Sequence, residues 1–190
     1  MEHEDELWQE YGENGEPLKN GGRPSSVGNH VDEKHVYYGG VIIWLYRFNG
    51  DDIEVLFQKR SKKVDRYPGK WDCSVGGHVN YGETPIMAGC RELNEEIGVY
   101  DLKPEDLEFM MSFKGDIGIY TMFVVDYTGH AQNFAFDDGE VEEVKWVSIK
   151  DYEEFRKTYG KDPLAKDNLT SEFFVKYFEK KLADNGNLDK

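Results

Sequence analysis

Apolar positions along this chain change their period several times, and each change marks an element. From Val36 to Phe48, β-branched and aromatic residues run almost unbroken, which reads as a strand. Ile53–Gln58 alternates like a paired strand, and Asn49-Gly50-Asp51-Asp52 between the two supplies a hairpin turn. Trp71–Val79 reads as extended. From Thr84 to Ile97 the period lengthens. At about 100° per residue, Ile86, Cys90, Leu93 and Ile97 fall within a sector of roughly 60° on a helix. Thr84 suits the N-cap, Pro85 the first turn and Gly98 the left-handed position just past the end. Glu108–Phe113 and Ile117–Tyr127 predict a second hairpin across Gly115-Asp116. Val141–Ile149 is a further strand, with Trp146 against the sheet. Lys150–Tyr159 and Thr170–Leu182 read as helices, the second packing through Phe173, Phe174, Tyr177 and Phe178.

Ahead of these elements, Gly12-Glu-Asn-Gly15 is a turn between short strands around Trp8–Tyr11 and Glu16–Leu18, and Arg23–Glu33 reads as loop. The expected organisation is an N-terminal extension with a short hairpin (residues 1–34), one domain over 35–183 and a disordered tail over 184–190. The order of strands and helices predicts an α+β sandwich, a mixed sheet with helices on both sides.

Composition narrows the partners. The chain has 190 residues, a net charge of −15 and two cysteines, Cys73 and Cys90. No apolar run approaches membrane-spanning length and no basic-then-apolar leader opens the chain, so a cytoplasmic protein with no membrane partner is expected. Two cysteines are too few for a disulfide framework. Both read as small core residues, with a reactive thiol at Cys73 as the alternative. So acidic a chain is a poor match for nucleic acid polymers, whose binding needs a basic surface. A small phosphate substrate is still compatible, because Lys59, Arg60, Lys62, Lys63, Arg66 and Lys70 form one local basic stretch. Arg60 is its best candidate for holding a diphosphate.

The chemistry concentrates between Gly77 and Val99: Gly77-His-Val-Asn-Tyr-Gly-Glu83, then Arg91-Glu-Leu-Asn-Glu-Glu-Ile-Gly-Val99, or G-x5-E-x7-R-E-U-x-E-E-x-G-U with U a bulky aliphatic residue. On the helix, Glu92, Glu95 and Glu96 fall within roughly 100° of one another, on the side away from the apolar sector. Like charges so placed repel. A hard divalent cation held through their oxygens, and bridging to substrate phosphates, resolves that repulsion; a solvated acidic face is the plainer alternative. Arg91 most simply pairs with one of the motif's glutamates and fixes its rotamer.

This pattern resembles the Nudix box, the signature of Mg²⁺-dependent hydrolases that cut diphosphate linkages in small molecules. The resemblance implies a Nudix-type α/β/α sandwich with a mixed β-sheet and a Mg²⁺ cofactor, with Mn²⁺ as a substitute. It further implies metal ligands at Glu92, Glu95 and Glu96, and support of the site by Gly76, Glu83 and Gly98. Gly77 and His78 would lie against substrate. The general base in such enzymes is either a box glutamate or one from a loop after the sheet. Glu140 is the candidate for the latter, with Glu142 and Glu143 as substitutes.

A narrower likeness runs over roughly residues 6–146. Glu6-Leu-Trp, Glu13-Asn-Gly-Glu-Pro17, Gln58-Lys-Arg60 and Pro68-Gly69-Lys-Trp71-Asp-Cys-Ser-Val-Gly-Gly-His78 are similar to the isopentenyl-diphosphate isomerase subgroup. The chain departs from that subgroup where its chemistry is done. Gly76 stands where the isomerase cysteine is expected, Cys73 comes three residues early and on the opposite strand face, and Ile117–Met122 carries no carboxylate. His35 and His78 match positions that contact a second metal in the isomerases, or else are hydrogen-bonded structural residues. The reading is a diphosphohydrolase acting on a nucleoside diphosphate linked to another group or on a comparable small diphosphate. An isomerase and a non-catalytic sensor of such ligands are the alternatives. Two copies could pair through the N-terminal extension.

Overall fold

One long strand organises the computed structural model, which describes residues 7–22, 36–115, 118–160 and 168–188. The strands are β1 (Trp8–Tyr11), β2 (Pro17–Gly22), β3 (Tyr37–Asn49), β4 (Asp52–Arg60), β5 (Trp71–Asp72), β6 (Val75–His78), β7 (Glu108–Lys114), β8 (Gly118–Asp126) and β9 (Val141–Ser148). The helices are α1 (Pro85–Ile97), α2 (Tyr152–Tyr159) and α3 (Asn168–Leu188). Along its length β3 pairs antiparallel with β1, β6 and β4 in turn, and parallel with β8 from Tyr38↔Gly118 to Tyr46↔Asp126. β9 joins at β4 and β7 at β8, both antiparallel. The sheet is therefore mixed. His35 and the 23–33 loop lie outside the described residues, as does the Asp116–Ile117 part of the second turn.

Alternation along the central strands builds two cores. Val41, Ile43 and Leu45 of β3, Leu56 of β4 and Phe123 and Val125 of β8 face α1 and meet Ala88, Leu93 and Ile97. Their neighbours Trp44 and Tyr46, Val55 and Phe57, and Met122 and Val124 face the opposite way, onto Tyr152 and Phe155 of α2 and Phe174 and Phe178 of α3. Side chains two residues apart share a face, so one unbroken apolar run serves both layers. The result is an α/β/α sandwich with a mixed sheet, the architecture expected from the sequence. Among the described residues no helix is long and apolar enough to cross a membrane.

Three local readings change. α3 runs on to Leu188, past the predicted end at Leu182 and into the tail expected over 184–190. Of its four aromatic residues, Phe174 and Phe178 are buried whereas Phe173 is exposed, because a helix presents i and i+4, not i and i+1, to one surface. Trp146 is half-buried at the sheet margin, with its Nε1 donating to Gln132 Oε1 at 2.6 Å and the Arg47 guanidinium 4.5 Å above its ring.

Candidate active site

The box forms a loop and a helix that its own residues close at both ends. Thr84 caps α1 by accepting from the Met87 N–H, and Pro85 occupies the first turn. Gly98 ends it with φ +67°, Val99 N–H returning to Leu93 O at 3.0 Å and Gly98 N–H to Asn94 O at 3.2 Å. A Cβ on Gly98 would also stand 2.8 Å from the Ala135 Cβ. Both the conformation and the space call for glycine there.

Arg91 is the hub. Its Nε and Nη2 donate to the two oxygens of Glu83 at 3.0 and 3.1 Å, Nη1 to Glu92 Oε1 at 2.8 Å and Glu95 Oε2 at 2.9 Å, and Nη2 also to the His78 carbonyl at 2.8 Å. One planar guanidinium thus ties the loop to the helix, a task its fork geometry suits and a lysine could not perform. Glu83 is further held by the Asn80 N–H at 3.0 Å. Burial would raise the Glu83 pKa, but the hydrogen bonds from Arg91 and Asn80 outweigh it and hold the carboxyl below its ordinary range.

The three helix carboxylates are not equivalent, contrary to the single open face expected for them. The Glu95 side chain is half exposed, Glu92 is largely covered, and Glu96 is buried at 5% exposure. Glu96 sits at the seam between the acidic and apolar sectors, so it points under the helix toward β6. There its Oε2 accepts from Gln58 Nε2 at 3.0 Å and Gly76 N–H at 3.3 Å. Burial, reinforced by the Glu92 charge, pushes the Glu96 pKa well up despite those two donors. Glu92 is pushed up to about 7, first by burial and then by the charges of Glu95 and Glu140, against the pull of Arg91. Gly77 lies directly beneath Glu92: a Cβ on it would stand 2.0 Å from the Glu92 carboxyl carbon. That close approach explains the box glycine.

Glu140 stands near enough to Glu92 and Glu96 to disfavour the ionised form of both. Its backbone is pinned, the N–H to Asp138 Oδ1 at 2.9 Å and the carbonyl to the Ser61 N–H at 2.7 Å. Glu142 and Glu143, the substitutes for it, point elsewhere. Each lies 3.5 Å from Lys59 Nζ, because β9 sets Glu143 opposite Lys59. Arg60 is also engaged locally: Nε donates to the Arg66 carbonyl at 2.9 Å and Nη1 lies 3.9 Å from Asp72 Oδ2, so it braces the 61–70 loop. His78 stacks on the Trp8 ring, centroids 3.6 Å apart and planes 7° from parallel.

The sequence reading of Cys73 needs correction. Trp71–Val79 is not one strand; it breaks at Cys73 and Ser74 between β5 and β6. Strict alternation therefore fails, and Cys73 Sγ lies 3.1 Å from where a Gly76 Cβ would stand, on the same side. The thiol is buried and contacts the Val75 carbonyl at 3.2 Å.

Two site residues escaped the motif. Gln58 comes from β4, distant in sequence, and only the sheet, which sets it opposite Asp72 of β5 just ahead of β6, brings it to Glu96. Asp138 is exposed next to Glu140, its pKa raised first by partial desolvation and then by Glu95. Its only sequence signal was membership of the acidic run Asp137-Asp-Gly-Glu140.

The donor set suits a hard divalent cation. Glu83, Glu92 and Glu95 share one arginine, Glu96 is held only by the neutral donors of Gln58 and Gly76, and Gln58 Oε1 is buried beside Glu96 without a hydrogen-bond donor among the described residues. Oxygen acceptors lacking a positive partner are what Mg²⁺ with its waters satisfies. Among the described residues no three carboxylates or histidines are already gathered into a cage. Arg91 holds Glu92 and Glu95 while Gln58 holds Glu96.

The NUDIX domain matches residues 36–167. The chain is 29% identical over 143 residues to Nudix hydrolase 3 of Arabidopsis thaliana, an alignment covering 68% of this chain but only 18% of that protein. It is 29% identical over 133 residues to an isopentenyl-diphosphate Delta-isomerase of Aliivibrio fischeri, covering 66% and 73% of the two chains. Its fold is similar to the crystal structure of DR0079 from Deinococcus radiodurans, with a TM-score of 0.66 at 18% identity over 91% of this chain and 99% of that one. At that identity the likeness speaks to fold alone.

Proposed function

This chain belongs to the Nudix family, and from that premise we propose that it is a Mg²⁺-dependent hydrolase of a diphosphate linkage in a small molecule. The nucleoside diphosphate joined to a second group is the preferred substrate class. The observation that carries the reading is Arg91, which gathers Glu83, Glu92, Glu95 and the His78 carbonyl into one array above the buried Glu96. A binding module has no use for so many fixed carboxylates around one arginine. A hydrolase does.

Glu92, Glu95 and Glu96 are the residues that would hold the cation. Bound there, Mg²⁺ would neutralise diphosphate charge and lower the pKa of a water. The protein's own residues do the rest. Arg91 fixes Glu92 and Glu95, Gln58 and the Gly76 N–H fix Glu96, and Glu140 supplies a carboxylate from outside the helix. In the reaction a water oxygen forms a bond to phosphorus in line with the bridging oxygen that leaves. The water proton passes to a carboxylate, Glu140 in this reading, with the box glutamates as alternatives.

The test is release of phosphate or nucleotide, with Mg²⁺ or Mn²⁺, from nucleotide sugars, dinucleotides, nucleoside triphosphates and prenyl diphosphates. Glu95→Gln and Glu96→Gln should each lower turnover by about 100-fold or more, as loss of a transition-state charge stabiliser does. Unchanged turnover in both would remove the carboxylate mechanism. Binding without release would favour a sensor.

A second reading rests on Cys73, whose Sγ lies beside the Gly76 position, together with the isomerase likeness. Turnover of isopentenyl diphosphate that is lost in Cys73→Ala would establish it.

A further inference from the structure

We infer that β1, outside the matched domain, is a positioning element of the site: Trp8 and Gln9 hold the box loop, residues 78–83, and through it set where Arg91 presents Glu92 and Glu95. The inference rests on the reading of the box as the hydrolytic site.

The loop is sewn to the N-terminal hairpin on both sides. Gln9 N–H donates to the Val79 carbonyl at 2.8 Å and Tyr81 N–H to the Leu7 carbonyl at 2.8 Å, so the loop backbone pairs with β1, with Trp8 opposite Asn80. Gln9 is buried at 5% exposure and its amide spans two elements. Oε1 accepts from the Gly82 N–H at 3.2 Å, and Nε2 donates to the Leu18 carbonyl on β2 at 2.8 Å. Tyr81 reaches back to donate its hydroxyl to the Lys19 carbonyl at 2.8 Å. Trp8 covers His78 face to face and meets the Tyr38 ring edge-on at 5.6 Å. β1 is in turn fixed to the sheet through Glu10↔Tyr38 and Tyr11↔Tyr37.

Arg91 draws two of its partners from this loop, the His78 carbonyl and the Glu83 carboxylate, and Glu83 is oriented by the Asn80 N–H. A loop free to move by an ångström would move the guanidinium and the two helix glutamates bonded to it. The contacts of Trp8 and Gln9 are to the loop, the hairpin and Tyr38, so their effect on the helix glutamates passes through the loop and Arg91. The matched domain begins at residue 36, which leaves both residues beyond the reach of the motif.

The experiment uses the full chain and three readouts: hydrogen exchange at the Tyr81 and Gly82 amides, Mn²⁺ affinity by calorimetry, and steady-state kinetics on the substrate found in the panel. Gln9→Leu should speed exchange at both amides at least about tenfold and weaken Mn²⁺ binding about 10- to 100-fold, the range for lost support of metal ligands. The kinetic loss should fall on kcat more than on KM. Trp8→Ala should act in the same direction, and Trp8→Phe, which keeps a ring over His78, should restore metal affinity to within about threefold of the unsubstituted chain. Faster amide exchange with undiminished Mn²⁺ affinity and kcat would overturn the inference, as would unchanged exchange. If Gln9→Leu does not fold, the comparison of Trp8→Phe with Trp8→Ala decides alone. A chain that hydrolyses nothing would refute the hydrolase reading, and exchange and Mn²⁺ affinity would still judge the role of β1.

Discussion

Replacing Gly77 with alanine puts a methyl group where Glu92 keeps its carboxyl. The new Cβ would stand 2.0 Å from both Cδ and Oε1 of Glu92. Ordinary contact needs about 3.5 Å, so the carboxyl must retreat by about 1.5 Å. Gly77 is not among the left-handed glycines, so its backbone tolerates alanine and all the strain falls on Glu92. That side chain is flexible and the swing itself is cheap. What it forfeits is the 2.8 Å bond from Arg91 Nη1. Hydrogen bonds to charged groups contribute about 1.5–3 kcal/mol when buried; with the Arg91 side chain 24% exposed, solvent screening brings the value to the lower end, about 1.5 kcal/mol. A reacting group displaced by more than about 1 Å costs on the order of 100-fold in rate. Gly77→Ala should therefore lower kcat/KM about 100-fold while the unfolding free energy in urea falls by no more than about 2 kcal/mol, with an unchanged m-value. Full activity in a folded Gly77→Ala protein would refute the packing of Gly77 against Glu92.

Four further outcomes follow from the same packing. Gly89→Ala drives a Cβ to 2.8 Å from Leu107 Cδ2 and 3.3 Å from Ile43 Cδ1; overpacking should cost about 1–3 kcal/mol in urea unfolding while kcat stays near the unsubstituted value, the reverse of the Gly77 result. Arg91→Lys loses the forked contacts to Glu83, Glu92 and Glu95, and kcat/KM should fall at least about 100-fold on the chosen diphosphate. Phe178, fully buried against Tyr46 and Phe174, should cost about 3–5 kcal/mol when changed to alanine, measured by thermal or urea unfolding, if α3 is integral to the second core. Burial alone would raise the Glu108 pKa, but hydrogen bonds from Lys181 and Tyr177 bring it below its ordinary range. A lowered folded pKa gives stability that is present above the unfolded value, about 4.3, and is lost as pH falls through the folded one. Lys181→Met should therefore flatten the acid limb of the unfolding midpoint measured from pH 5 to pH 2.

Much of this site is legible in the sequence because its information is local. Thr84, Pro85 and Gly98 announce both ends of α1, and the apolar spacing of Leu93 and Ile97 states which face is buried. What is not legible depends on elements far apart in the chain. Glu96 belongs to the acidic sector by angle, yet whether a residue at the seam is exposed depends on what lies beneath, and Gln58 arrives there only through the sheet. Cys73 was misplaced because alternation holds within a strand, and the break between β5 and β6 carries no unmistakable sequence sign. Arg60 looked available because its partners, the Arg66 carbonyl and Asp72, are set by the path of the loop. The docking of β1 on the box loop uses mainly backbone hydrogen bonds, which leave almost no trace in residue identity beyond Gln9 and Trp8.

In the proposed hydrolase, Glu96, buried among carboxylates, helps hold a divalent cation for diphosphate cleavage. Calorimetric titration of Mn²⁺ into the chain and into Glu96→Gln, each with a non-hydrolysable diphosphate analogue present, tests it most directly. Saturable binding accompanied by proton release, weakened at least about tenfold in the variant, is the predicted result. Superimposable isotherms for the two proteins would contradict it.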